Sequence, residues 1–92
     1  LFEGRRAVGV QYLAARGAAP QTVRARREVI LSAGTANTAR LLQVSGVGPA
    51  DLLGAIGVPV VHELRGVGAN FRDHYASRIV MRAKAGSVTL NQ

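Results

Sequence analysis

Cysteine is missing from this chain, lysine appears once, at Lys84, and histidine twice, at His62 and His74. Without cysteine there is neither a disulfide framework nor a thiolate metal site, which suits a reducing compartment. The imidazoles lie twelve residues apart with no carboxylate or thiol cluster, so a metal site is not expected. His62 reads as a surface residue after a short strand. No Ser/His/Asp set with supporting spacing emerges for nucleophilic catalysis. No apolar run approaches the roughly 18–20 residues a membrane span needs. The N-terminus lacks the basic lead and apolar stretch of a signal peptide.

What is present is modest in size. Ninety-two residues make at most one small domain with a limited core, and 48% apolar content argues against disorder. The chain opens at Leu1-Phe2, has its only methionine at Met81 and stops at Asn91-Gln92, so it is expected to be a segment of a longer protein. No internal boundary divides residues 1–92. The net charge of +7 raises the question of a polyanionic partner. Eleven of the twelve cations are arginines, scattered apart from Arg24, Arg26 and Arg27, which reads as a solvated surface.

The pattern along the chain is α/β. Val8, Val10 and Tyr12 share one face at period two, residues 13–21 carry Gly17 and Pro20, and Thr22 to Arg26 alternates again. That predicts a β-hairpin with one wet face. Val29-Ile30-Leu31 is a continuous apolar run, the habit of a strand buried on both faces. Ser32-Ala33-Gly34 follows, and Thr35 or Asn37 is placed to cap a helix whose apolar side is Ala36, Ala39, Leu41, Leu42 and Val44. The N–H groups at such a helix start suit an anion or nucleotide. Ser45 to Gly48 ends that helix. Pro49 opens a second over Ala50 to Ile56, closed by Gly57. Residues 58–61 read as extended, 66–70 as a loop, and Ser77 to Ala83 as a final strand.

Two glycine motifs invite a phosphate-binding reading. "SGVGPADLLGAIG", residues 45–57, resembles a helix-hairpin-helix whose amides grip a DNA phosphate. Only one copy is present, however, and no Lys or Arg lies between Arg40 and Arg65 to supply the electrostatic part of such binding. A basic nucleic-acid module is therefore the alternative, and no nucleic-acid partner is expected. Gly66-Val-Gly-Ala-Asn-Phe71 imitates a dinucleotide fingerprint, but Phe71 stands where the third glycine belongs and no buried strand precedes it.

Residues 29–48, "VILSAGTANTARLLQVSGVG", decide between these readings. They resemble the second signature of the glucose–methanol–choline (GMC) flavoprotein oxidoreductases, a glycine, a small residue, Ser/Thr, Leu-Leu and Ser-Gly-aliphatic-Gly. Gly34, Thr35, Thr38, Leu41, Leu42, Ser45, Gly46, Val47 and Gly48 match, while Ala39 replaces the usual Pro or Ser. "LFEGRRAVGVQY" before it and "GVPVVHELRGVGANFRDH" after it extend the resemblance over essentially the whole chain.

The resemblance implies an incomplete FAD/NAD(P)-binding, Rossmann-like domain. Its parts would be the hairpin, the buried strand, two short packed helices and the terminal strand. It implies FAD as cofactor, with Ser32, Ala33 and Gly34 against the adenosine half, because a side chain larger than Ala would hold the backbone away. It implies oxidation of a small-molecule alcohol by hydride transfer to flavin, with the electron acceptor undetermined. Catalytic residues are expected outside this segment, which alone is expected to be inactive. Asn70-Phe-Arg-Asp73-His74 corresponds to the family's N-x-x-D-H, placing Asp73 and His74 toward the substrate side of the flavin. Choline-oxidising members carry a Glu two residues past this His to face the quaternary ammonium. Ala76 stands there, so choline is disfavoured as substrate.

Overall fold

The computed structural model describes residues 1–86. Its elements are β1 (Phe2–Glu3), β2 (Arg6–Ala7), β3 (Gly9–Leu13), β4 (Pro20–Arg24), α1 (Thr35–Val44), β5 (Val47–Gly48), α2 (Ala50–Ala55) and β6 (His62–Glu63). They form three two-stranded sheets and two helices.

The predicted hairpin forms. β3 and β4 pair antiparallel from Gly9 opposite Arg24 to Leu13 opposite Pro20. Pro20, expected in the turn, instead opens β4, a terminal position where its missing N–H leaves the ladder intact. Gly9 is required by packing, since a Cβ there would collide with the Val23 carbonyl oxygen. Tyr12 donates its hydroxyl proton to Gln21 Oε1 at 2.6 Å across the pair. Val10, Tyr12 and Val23 are nevertheless all exposed, so within this chain neither face of the hairpin is covered. β1 and β2 form a second antiparallel pair around Gly4 and are tied to β4 by the Arg24–Glu3 ion pair. Both side chains are well exposed, and such pairs contribute at most about 1 kcal/mol.

The best-packed region is a strand–helix–strand unit. α1 stops because Gly46 takes a left-handed φ of 88° and donates its N–H to the Gln43 carbonyl at 2.9 Å. Val47–Gly48, expected to be part of a turn, is β5, and it pairs in parallel with β6, Val47 opposite His62 and Gly48 opposite Glu63. Parallel strands need a crossover, and α2 supplies it. Pro49 sits at the N-cap of α2 and Asp51 in its first turn, where a carboxylate complements the helix dipole. His62 thus lies within a strand, half-buried, with an Arg5 guanidinium nitrogen 2.7 Å from its Nδ1.

Three expectations are corrected. Val29-Ile30-Leu31 is not a strand, and Ile30 is 76% exposed. A strand buried on both faces exists only between neighbouring strands and covering helices, and no described residue pairs with this run. Ser77 to Ala83 likewise forms no strand and is exposed throughout. Neither Thr35 nor Asn37 caps α1: Gly34 holds the N-cap, with no side-chain cap hydrogen bond.

The apolar core among the described residues is Val47 and Leu53, the latter fully buried. Leu53 bears on the backbone of Gly48, and its carbonyl accepts the Val58 N–H at 2.9 Å. In the full-length protein, Leu53→Ala is expected to cost about 2–5 kcal/mol in denaturant unfolding, whereas Leu52→Ala, at an exposed site on the same helix, should cost far less. Gly46→Ala should destabilise comparably to Leu53→Ala, because the new Cβ would lie 2.6 Å from the Pro59 carbonyl oxygen at a φ that side chains disfavour.

Candidate functional site

The N-terminus of α1 faces a shallow, open cleft of about 630 Å³. One wall is Ser32, Gly34, Thr35, Thr38, Ala39 and Leu42; the other is the turn Gly66-Val67-Gly68. The first wall follows from helical spacing. Thr38, Ala39, Leu42 and Gln43 form the half-buried stripe of α1, at separations of one and four residues. Ala36, Leu41 and Val44, expected on the apolar side, are exposed because nothing described packs against them.

The chemistry at the mouth is that of a donor-rich helix end. No side chain caps α1 and no acidic residue occupies its first turn, so its leading N–H groups and the positive end of its dipole stay open to a polar or anionic group. Gly34 adopts φ 82° and ψ 168°, and a Cβ built on it meets no atom within 4 Å. The space beside this backbone is therefore free for a ligand. Thr38 Oγ1 accepts the Ala33 N–H at 3.2 Å, which fixes the small-residue turn against the helix.

Of the residues singled out in the sequence, Ser32 and Gly34 line the cleft, with Ala33 anchored between them. Asp73 and His74 are elsewhere in the described structure, on an exposed stretch without regular secondary structure and absent from the cleft wall. They contact each other: Asp73 Oδ1 accepts the His74 backbone N–H at 2.8 Å and lies 3.2 Å from His74 Nδ1. The sequence reading missed Gly66–Gly68, whose imperfect fingerprint argued against it. It contributes a turn, with Gly68 at φ 79°, rather than a strand–helix phosphate loop.

The helix-hairpin-helix alternative finds no support. Gly46, Val47 and Gly48 are buried, the Gly46 N–H is taken by Gln43, and the Gly46 carbonyl accepts from both Val61 and His62.

The family model described as GMC oxidoreductase matches residues 1–76. The chain belongs to the GMC oxidoreductase family. Its N-terminal domain, the part matched, is the family's FAD-binding region, and the family acts on CH–OH donors. The oxygen-dependent choline dehydrogenase of Pectobacterium carotovorum subsp. carotovorum (strain PC1) is 60% identical over 74 residues, which are 80% of this chain and 13% of that protein. The protein of the same name from Pseudomonas aeruginosa (strain LESB58) is 55% identical over the same shares. Dehydrogenase xptC of Emericella nidulans is 49% identical over 73 residues, 79% of this chain and 12% of that one. The chain thus spans about an eighth of the length of these relatives. No solved structure matches it.

Gly34→Ala tests the wall directly. With open space around the new methyl group, its cost is conformational alone, about 1–3 kcal/mol for a glycine-only backbone region. Denaturant unfolding of the full-length protein should register it.

Proposed function

We propose that these residues form part of the FAD site of an alcohol-oxidising flavoprotein, with Ser32, Ala33 and Gly34 against the adenosine half of the cofactor. The observation that carries the reading is the cleft itself. It brings the signature turn, the uncapped end of α1 and the Gly66–Gly68 turn to one cavity. The residues fit the group. Small side chains and a glycine with free space beside it allow close backbone approach, and the open helix end offers donors to ribose or phosphate oxygens. FAD, when bound, accepts the hydride from the alcohol carbon. The residues described bind and orient it. The base that takes the hydroxyl proton lies outside them, and Asp73 and His74 are assigned to the substrate side.

The substrate assignment weighs two observations. The bacterial relatives are named choline dehydrogenases. Ala76, however, offers no carboxylate to a quaternary ammonium, whereas one placed a few ångströms away would contribute on the order of a few kcal/mol at moderate dielectric. A neutral primary alcohol is accordingly the preferred substrate.

Anaerobic mixing of the full-length flavoprotein with alcohols tests both halves. Neutral primary alcohols should bleach the flavin faster than choline does, and Ala76→Glu should raise kcat/KM for choline by about tenfold, equivalent to about 1.4 kcal/mol. Faster bleaching by choline in the unaltered protein would overturn the substrate assignment.

The isolated 92-residue chain, with Val47 and Leu53 as its described apolar core, should retain no stoichiometric FAD after gel filtration.

A further inference from the structure

Gln43 lies on the same helix as the first wall of the cleft but reaches the second. Its Nε2 donates to the Val67 carbonyl at 3.1 Å, in a half-buried setting and across 24 residues of sequence. Its path is made by two glycines. A Cβ on Gly48 would come within 3.2 Å of Gln43 Cγ, and one on Gly68 within 2.5 Å of Gln43 Nε2. A side chain at Gly68 would displace the carboxamide, and one at Gly48 would press on its stem. Val67 and Gly68 line the cleft opposite Thr38, Ala39 and Leu42.

We propose that Gln43 is a positioning residue for the cofactor site. Its carboxamide, threaded between Gly48 and Gly68, holds the Gly66–Gly68 turn at a fixed distance from α1 and so sets the width of the cleft. The inference rests on the FAD reading above and adds a residue to it. Gln43 does not itself line the cleft. It acts through the Val67 carbonyl, and Gly68, whose left-handed φ of 79° already favours glycine, leaves room for the carboxamide.

The test uses the full-length flavoprotein, with FAD affinity measured by quenching of flavin fluorescence and site geometry by visible circular dichroism of the bound flavin. Gln43→Met keeps the reach and removes the N–H; Gln43→Lys keeps a donor on a charged stem one atom longer. Loss of one hydrogen bond at the wall should raise the FAD Kd of Gln43→Met about five- to tenfold and alter its visible dichroism. Gln43→Lys should lose less than Gln43→Met, because it still offers the Val67 carbonyl a donor. If Gln43→Met does not fold, Gln43→Glu, which preserves volume and can only accept when ionised, reads the same contact. Equal Kd and dichroism in Gln43→Met and the unaltered protein would overturn the proposal. Equal losses in Gln43→Met and Gln43→Lys would do the same, since packing alone would then explain them. An unaltered full-length protein that holds no FAD would overturn the cofactor reading, and this inference with it.

Discussion

The carbonyl of Gly46 organises the described part of this protein. It accepts hydrogen bonds from Val61 at 2.8 Å and His62 at 3.1 Å, where the chain returns from α2 to lie beside β5. The contact depends on the absence of a side chain, because Pro59 and Val61 occupy the space a Cβ would take. The same residue ends α1 through its left-handed backbone. One glycine therefore fixes where the helix stops, where β5 begins and which strand β5 meets. The direction of α1, and with it the wall of the cleft, follows from that junction.

The cleft is assembled from segments that are local in kind and distant in sequence. Ser32–Gly34 and α1 form one side through neighbouring interactions alone: a small-residue turn, the Ala33–Thr38 hydrogen bond and a helical stripe. The other side arrives only after the chain has passed through β5, α2 and β6, and the Leu64 N–H bonds the Gly48 carbonyl at 2.9 Å just before the Gly66 turn. Strand pairing thus delivers the turn to the neighbourhood, and Gln43 supplies the last direct link between the walls.

What the sequence revealed was governed by period and punctuation. The hairpin was legible from alternation at Val8, Val10 and Tyr12, and the helices from their spacing and from Gly46, Pro49 and Gly57. The Ser32–Gly34 turn was legible as the approach to a helix start, and only its resemblance to the family signature singled it out for a cofactor. Strands of two residues carry no period, so the pairing of β5 with β6 was hidden in what read as a helix-breaking turn and in His62, read as a surface residue just past the extended segment at 58–61. Val29-Ile30-Leu31 carried the signature of a doubly covered strand, but burial is a property of neighbours, and no described residue pairs with it. Gly66–Gly68 was set aside for lacking a third glycine. What the two glycines supply there is a turn, with Gly68 at φ 79° close against the Gln43 carboxamide.

Among the described residues Val29–Leu31 has no strand partner, and a segment of this kind has a biochemical consequence wherever it stands uncovered. Backbone donors and acceptors left without a ladder, on a short β-branched and aliphatic segment, are a template for association with like segments. Arg26, Arg27 and Glu28 stand immediately before it. Stacking copies in register would bring like charges together beside each run, the arrangement by which gatekeeper residues discourage fibrillar self-association.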